Sequence, residues 1–262
     1  MRRRWIADTW APTTGHPTHA ALTGAQATHL ARVLRAEPGQ IFDVVANGFL
    51  HRAEVTAVRA TSNESESEVA FILHEELEVD AALPLHLLLA VFKFDRFEWA
   101  VEKATELGVA RITPILARRT EKHLALAAPK RADRWRRIAF EASKQSRRTT
   151  IPEISDPIPL AVALKAETAA LRILLSETEQ TLTLTSALVT PEPGAPGLDS
   201  ETWVSGAPSL ALAIGPEGGW TSEEMSLFTT HAWQPVTLGP RILRAETATI
   251  AAIAIAAAQL KP

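Results

Sequence analysis

The pattern of apolar and polar positions changes at Leu83, and the two parts of the chain predict different structures. In the first part the apolar runs are short. Ile41–Ala46 and Phe49–Val58 flank Asn47-Gly48, which suits a type I′ turn, so these runs predict a β-hairpin. Val69–Leu73 predicts a third strand. This part of the chain is therefore expected to form a small, mostly β module.

A short amphipathic helix is predicted before the hairpin. Its helical spacing puts Leu30, Val33 and Leu34 on one side, and Arg32 and Arg35 near the other.

From Leu83 onward, longer apolar runs alternate with amphipathic segments. Leu85–Phe92 is a continuous apolar run, as in a strand covered on both faces. Asp95 is predicted to cap the next helix, with Glu98 completing a capping box and Gly108 ending the helix. This alternation predicts an α/β domain with a largely parallel sheet and helices on both faces.

The same alternation continues to the end of the chain. Further strands are predicted at Arg111–Leu116, Ala170–Leu175, Leu210–Ile214 and Pro235–Leu238. Helices are predicted at Pro129–Gln145, after the capping box Thr221–Glu224, and at Glu246–Leu260. The Pro-, Gly- and Ser-rich stretch Thr190–Pro208 is predicted to be a surface loop.

Two glycine-containing turns stand out in this second part. Ile214–Gly219 and Leu238–Thr247 each follow a predicted strand and lead into a predicted helix. Glycine lets the backbone approach a ligand closely, and proline fixes the loop without offering an N–H group. Turns of this kind can lie side by side and form a small-molecule pocket lined largely by main chain.

The ligand of such a pocket is constrained by what the turns lack. Neither turn has the spacing of a dinucleotide fold or the Gly-Lys-Ser/Thr of a phosphate loop. A nucleoside cofactor without phosphates would suit backbone hydrogen bonds and apolar walls such as Ile214, Leu238 and Leu243. Plain structural turns are the alternative interpretation.

Composition limits the chemistry further. The chain has no cysteine, so disulfides, thiolate metal sites and cysteine nucleophiles are excluded, and a cytosolic protein is expected. Its eight histidines show no metal-ligand spacing, and we expect no metal. No apolar run reaches the ~20 residues that span a bilayer.

Charge is distributed unevenly along the chain. The formal net charge is −3, but the segment from Arg118 to Arg148 holds eleven basic and three acidic residues. Such asymmetry bears more on polyanion binding than the sum over the whole chain. A solvated helix face is the alternative, and Trp135 within the segment is more typical of packing than of base stacking.

Several segments together resemble the RsmE family of ribosomal RNA uridine-N3 methyltransferases, over nearly the whole chain. They are the two glycine turns, Phe97–Trp99 through Lys103–Gly108, Gln145-Ser146 and Arg148 with Ile151–Ile154, and His29–Arg35 with Gly39. At two positions the chain departs from that family's common pattern. Lys144 stands where a glutamate is usual, and Arg147 where a glycine is usual.

The resemblance implies a specific architecture and partner set. Residues 1–76 would form a PUA-like RNA-binding β-barrel, and residues 77–262 a SPOUT α/β domain with a C-terminal trefoil knot. The cofactor would be S-adenosyl-L-methionine, held by the knotted loops of a homodimer. The substrate would be a uridine in the decoding region of 16S rRNA, within the small ribosomal subunit.

The resemblance also implies roles for individual residues. Catalysis is expected of Arg244 and Glu246. The expected cofactor-binding residues are Ile214, Gly215, Glu217, Gly218, Gly219, Leu238, Gly239, Leu243, Arg244 and Thr247. The expected RNA-binding residues are Arg32, Arg35, Arg119, Lys144, Gln145, Arg147 and Arg148.

The reaction itself indicates what such residues would do. Uridine N3 carries a proton, so its methylation needs a proton acceptor or a group that favours the uridine anion. Arg244 or Arg148 would stabilise negative charge on the uracil oxygens. Glu246 would orient an arginine or accept the proton, and its structural alternative is a carboxylate favoured by a helix N-terminus.

Two other functions stay open on the sequence. One is a related SPOUT methyltransferase that acts on tRNA or on a ribose 2′-hydroxyl. The other is an RNA-binding ribosome-assembly factor without catalytic activity. The first differs in the methylated atom, and the second predicts no cofactor affinity.

Overall fold

A computed structural model describes residues 4–13, 16–77, 82–146, 148–189 and 210–260, and these residues cluster into two compact units. One unit comprises Met1–Ala81 with Lys144–Thr150, and the other comprises Ala82–Ser143 with Ile151–Pro262. The predicted loop Thr190–Pro208 lies outside the described residues.

The first unit is built on a sheet whose described strands follow the order β1-β4-β5-β6-β3-β2. Strand β1 pairs parallel with β4, and the other described pairings are antiparallel. Asn47 and Gly48 have φ angles of 51° and 82°, which confirms the tight hairpin turn. The strands are β1 (Arg4–Ile6), β2 (Thr9–Thr13), β3 (His16–Thr23), β4 (Ile41–Ala46), β5 (Phe49–Arg59) and β6 (Glu68–Leu77).

The helical segment of this unit departs from its predicted form. A single turn of α-helix, α1 (Gly24–Thr28), continues as a π-helical turn over His29–Val33. Leu30 is fully buried, whereas Val33 and Leu34 are 65% and 46% exposed. In a π-helical turn the i→i+5 hydrogen bonds add residues to each turn, so Val33 lies further round the helix from Leu30 than α-helical spacing predicts.

The second unit is built on a sheet in which every described pairing is parallel. The strand order is β10-β8-β7-β12-β11-β13, with β9 paired to β8. This confirms the predicted parallel sheet. The strands are β7 (Leu83–Ala90), β8 (Val109–Leu116), β9 (Glu153–Ile154), β10 (Ile158–Pro159), β11 (Leu171–Leu175), β12 (Leu210–Ile214) and β13 (Gln234–Val236).

Both faces of this sheet are covered, as the continuous apolar runs predict. Leu87 and Leu212 pack into one apolar core, and Leu88 and Ala213 into another, so alternate residues of one strand serve opposite faces. The helices are α2 (Phe94–Glu106), α3 (Lys122–Ala127), α4 (Ala132–Ser146), α5 (Leu160–Ala166), α6 (Leu184–Val189), α7 (Ser222–Thr230) and α8 (Ala245–Gln259), with a 3-10 turn at Ala128–Arg131.

The helix beginnings confirm one predicted capping box and correct another. The capping box of α7 is present, with Thr221 and Glu224 bonded to each other's backbone N–H groups. The box predicted from Asp95 and Glu98 is wrong, since α2 begins at Phe94 with Lys93 at the N-cap position, so Asp95 already lies inside the first helical turn. Glu98 accepts a 2.7 Å hydrogen bond from Arg134.

The basic segment is more broken than the single predicted helix. Short helix α3 and the 3-10 turn precede α4, so Pro129 lies in the 3-10 turn rather than at the start of α4. Trp135 is fully buried, with its ring centroid 4.6 Å from that of Phe97. This confirms a packing role for the tryptophan and excludes base stacking.

The last segment of the chain returns from the edge of the sheet to its middle. Strand β13 is the outer strand beside β11, yet α8, which follows it, packs against α2, α6 and β12. On the way, Thr237 donates its backbone N–H to Leu182 and accepts one from Leu184, in the segment after β11. The trefoil knot implied by the resemblance requires such a path.

A buried polar network ties β7 and β8 to the segment after α5. His86 Nδ1 lies 2.5 Å from Glu167 Oε2, and His86 Nε2 lies 2.8 Å from Thr113 Oγ1. The other Glu167 oxygen accepts the backbone N–H groups of Thr168 and Ala169. Burial disfavours the carboxylate, but the His86 and backbone hydrogen bonds outweigh it and hold the pKa of Glu167 below its usual range.

This network predicts an acid-sensitive contribution to stability. Because the folded-state pKa of Glu167 lies below its ordinary value of 4.5, its stabilisation is present above that pH and is lost as pH falls through the lower pKa. We expect Glu167→Gln to lower the free energy of unfolding by about 2 kcal/mol at pH 7. Below pH 4.5 the difference from wild type should shrink.

Urea denaturation between neutral and acidic pH measures this effect. Glu177→Gln, which changes an exposed carboxyl, is the control and should leave the unfolding free energy almost unchanged. A loss in Glu167→Gln that is the same at every pH would contradict the prediction.

Candidate functional site

The two glycine turns begin at the same edge of the parallel sheet. Strand β11 lies between β12 and β13, and Leu174 is in register with Ala213 on one side and Pro235 on the other. The three strands are in register and end at the same level. The turns that follow β12 and β13 therefore lie at one edge of the sheet, and the segment after β11 lies between them. In open α/β sheets, ligands bind in the crevice at the carboxyl ends of the strands, which is this edge.

The first turn is closed by its own backbone. Gly219 has a φ of 68° and donates its N–H to the Pro216 carbonyl at 2.8 Å. A Cβ atom on Gly215 would lie 3.2 Å from the indole of Trp220, whose Nε1 donates to the Leu175 carbonyl at 3.3 Å. Trp220 therefore links this turn to the end of β11 and leaves little room for a side chain at Gly215.

The other predicted residues of this turn differ in exposure. Ile214 is buried at the end of β12 and belongs to the apolar core, whereas Glu217 and Gly218 are exposed. The middle of this turn is thus exposed to solvent, while its first residue is fixed in the apolar core at the end of β12.

Arg119, predicted to bind RNA, lies against this first turn. Its guanidinium Nη1 donates to the Gly218 carbonyl, and its Cδ lies 3.2 Å from where a Cβ of Gly218 would be. The sequence did not indicate this contact, because Arg119 belongs to a run of basic residues far from the turn in the chain.

The second turn is held by Thr237. Its Oγ1 accepts the Gly239 N–H at 3.1 Å and donates to the Gly239 carbonyl at 3.2 Å. Gly239 has a φ of 111°, and nothing lies within 4 Å of where its Cβ would be. Leu238 and Leu243 are half-buried, so this turn combines an open backbone position with apolar side chains.

The segment between the turns is ordered by a carboxylate. Glu179 Oε1 accepts from Thr181 Oγ1 at 2.6 Å and from the Thr181 and Leu182 backbone N–H groups. These bonds, led by that of the Thr181 hydroxyl, lower the pKa of Glu179 to about 2. The segment after β11 therefore has a fixed conformation beside the two glycine turns.

The two predicted catalytic residues lie where the second turn meets α8. Arg244 is exposed at the N-cap position, and Thr247 is exposed in the first helical turn. Glu246 is buried, with Oε1 3.7 Å from the Nε atom of Arg96. Among the described residues, its Oε2 has no hydrogen-bond partner. A buried carboxylate oxygen in this state favours a ligand donor.

Arg96 is a site residue that the sequence analysis missed. It lies in the first turn of α2. This helix follows β7 and therefore begins at the same sheet edge as α8. The sequence feature that could have indicated Arg96 is its position in the first turn of a helix that follows a parallel strand.

The other predicted RNA-binding residues belong to the first unit. Arg32 is exposed and donates to the Thr61 carbonyl, while Arg35 is exposed with a φ of 52°. Lys144 and Gln145 lie in the last turn of α4, and Arg147 lies outside the described residues. Burial lowers the pKa of Arg148 to about 10, so its guanidinium stays charged at neutral pH.

The described residues contain neither a metal-site cluster nor a membrane-spanning helix. No group of acidic and histidine side chains within them has the arrangement of a metal site. None of the helices in the described ranges has the length and apolar character to span a membrane.

Comparisons with known proteins agree with this geometry. The profile of the RNA methyltransferase domain matches residues 79–257, and that of the RNA methyltransferase PUA domain matches residues 22–62. The fold and site thus define an RNA methyltransferase with a PUA domain and an α/β methyltransferase domain. The chain belongs to the ribosomal RNA small subunit methyltransferase E family.

Individual relatives support this membership. The chain is 34% identical to ribosomal RNA small subunit methyltransferase E of Synechocystis sp., over 89% of this chain and 71% of that one. It is 30% identical to the Bacillus subtilis protein of the same name, over 97% and 94%. It also resembles the crystal structure of the Neisseria gonorrhoeae protein bound to S-adenosyl methionine, with a TM-score of 0.74 and 27% identity over 97% and 96% of the chains.

The pair formed by Arg96 and Glu246 leads to a prediction about stability. Arg96→Met would leave the buried Glu246 carboxylate without its nearby cation. Since the Arg96 side chain is 32% exposed and the atoms are 3.7 Å apart, we expect a loss of about 1 kcal/mol of unfolding free energy.

A double-mutant cycle in urea isolates this term. In a Glu246→Gln background the same Arg96→Met change should cost much less, because no buried charge remains. Equal losses in the two backgrounds would show that Arg96 stabilises the fold without acting on Glu246.

Proposed function

We propose that this protein transfers a methyl group from S-adenosyl-L-methionine to N3 of a uridine in the decoding region of 16S rRNA. The observation that carries the proposal is the family membership over nearly the whole chain, with two glycine turns at one edge of the parallel sheet. The relatives are named for small-subunit rRNA, and the choice of uridine N3 rests on the RsmE resemblance.

The residues at the sheet edge suit this cofactor. An adenosine without phosphates needs main-chain hydrogen bonds and apolar walls, and Gly239 offers open backbone beside half-buried Leu238 and Leu243. The unpartnered oxygen of buried Glu246 is free to accept a donor of the substrate base. The proposed binding residues are Ile214, Gly215, Glu217, Gly218, Gly219, Leu238, Gly239, Leu243, Arg244 and Thr247.

The chain's own residues would prepare the uridine. When bound, the cofactor supplies an electrophilic methyl group, and the protein must position the acceptor nitrogen. Glu246 is proposed to accept the N3 proton, with Arg96 holding its other oxygen. Exposed Arg244 is proposed to stabilise negative charge on the uracil oxygens.

Binding of the RNA is proposed to involve both parts of the chain. Residues 1–76 would act as the RNA-binding domain, through Arg32 and Arg35, and residues 77–262 as the catalytic domain. Lys144, Gln145, Arg147 and Arg148 would contact phosphate. We further propose a cytoplasmic homodimer that acts on the assembled small subunit.

Methyl transfer to isolated small subunits tests the function directly. Purified protein and radiolabelled S-adenosyl-L-methionine are incubated with small subunits from cells that lack the modification. The rRNA is then digested to nucleosides. We expect 3-methyluridine at one position, with much less product on deproteinised rRNA.

Each alternative has its own outcome in this assay. A 2′-O-methylated nucleoside, or transfer to tRNA alone, would replace the proposal with a related SPOUT activity. Absence of both cofactor binding and transfer would favour a non-catalytic assembly factor.

Glu246→Gln tests the proposed proton acceptor. We expect kcat to fall about a hundredfold or more, because the amide cannot accept the proton. The Kd for S-adenosyl-L-methionine should change far less.

Glu246→Asp, which keeps the carboxylate, is the matched control and should retain more activity than Glu246→Gln. A purely structural role would instead lower thermal stability and cofactor affinity together in Glu246→Gln.

A further inference from the structure

The loop Ala117–Thr120, between β8 and α3, is held to the end of β7. Thr120 is buried, and its Oγ1 donates to the Val91 carbonyl at 2.9 Å and accepts the Ala117 N–H at 3.3 Å. The Thr120 N–H donates to the Ala117 carbonyl at 3.1 Å. The loop is therefore a closed turn with a defined position at the carboxyl edge of the sheet.

A buried carboxylate joins this loop to the start of α7. Glu224 is 3% exposed, and its Oε1 accepts the Arg118 N–H at 2.7 Å. Its Oε2 accepts the Thr221 N–H at 2.9 Å, within the capping box. Because α7 follows the first glycine turn directly, Glu224 ties the downstream end of that turn to the loop.

Arg119 contacts the glycine turn itself. Its guanidinium donates to the Gly218 carbonyl, and the next N–H of that peptide unit, on Gly219, donates to Pro216. A peptide unit is planar, so these two bonds hold the Gly218–Gly219 plane from both sides. The Arg119 stem also covers the face of Gly218 that a side chain would occupy.

Neighbouring Arg118 provides a contrast. It is equally exposed and carries the same charge, but its described hydrogen bond is made by its backbone N–H. A change of its side chain would remove charge from the loop without touching the glycine turn.

We propose that the loop Ala117–Thr120 is a clasp that holds the first glycine turn in its ligand-binding shape, with Arg119 and Glu224 as positioning residues. The inference rests on the proposed function of that turn as part of the S-adenosyl-L-methionine site. A turn held in shape before binding loses less conformational freedom when the ligand arrives, which strengthens binding. Arg119 thus strengthens cofactor binding, in addition to contributing a positive charge.

Calorimetric titration of the full chain with S-adenosyl-L-methionine tests the clasp. Arg119→Met removes the guanidinium and keeps an aliphatic stem, and we expect the Kd to rise about fivefold, as for one lost hydrogen bond. Arg118→Met removes the same charge and should change the Kd less than about twofold. Arg119→Lys, which keeps a donor on a long stem, should recover part of the affinity.

Binding of rRNA fragments, measured in parallel, separates the two roles of Arg119. Both methionine variants should weaken RNA binding to a similar degree, since each removes one positive charge. An unchanged cofactor Kd in Arg119→Met, or an equal rise in Arg118→Met, would overturn the clasp. Failure of the wild-type chain to bind the cofactor would instead overturn the proposed function.

Glu224→Gln tests the second contact. An amide has one oxygen, so it cannot accept both the Arg118 and the Thr221 N–H groups, and the cofactor Kd should rise. Combined with Arg119→Met, its effect should be less than the product of the two single effects, since both act on one turn. An unchanged Kd in a folded Glu224→Gln variant would remove Glu224 from the clasp.

Discussion

The candidate site depends on the main-chain hydrogen bonds that hold β11 between β12 and β13. Ile173 and Leu174 are in register with residues of both neighbouring strands, so all three strands end at one level. Two glycine turns and the intervening segment consequently lie together at one edge, where side chains such as Trp220 and Thr237 fix their conformations. A site of this kind is sensitive to any change that shifts the strand register.

Two buried carboxylates at this edge differ in how many of their oxygens have hydrogen-bond partners. Glu224 and Glu246 both lie in the first turn of a helix, where the dipole favours negative charge. Both oxygens of Glu224 accept backbone N–H groups, so this residue is fully used by the fold. Glu246 keeps one oxygen without a partner among the described residues. A fold retains such a cost where binding or catalysis offsets it.

Local patterns in the sequence predicted the features that depend on local contacts. The Asn47-Gly48 turn and the Thr221 capping box are of this kind, because a few adjacent residues determine them. The Asp95 capping box failed because α2 begins at Phe94, which puts Asp95 inside the first turn and not at the N-cap position. Strand order and the contact of Arg119 with Gly218 likewise depend on long-range packing. The cofactor and the knot were predicted from the family resemblance and not from the periodicity of the apolar residues.

The basic segment shows why a charge count along the chain overstates the charge available to RNA. Eleven basic residues face three acidic ones within the segment, but acids outside it also pair with them. Arg134 binds Glu98 at 2.7 Å, and Arg136 binds Asp156 at 2.7 Å. Arg119 donates one of its hydrogen bonds to the Gly218 carbonyl of the glycine turn. The attraction for phosphate therefore depends on which guanidinium and ammonium groups the fold leaves without an acidic neighbour, and that selection is made by tertiary packing.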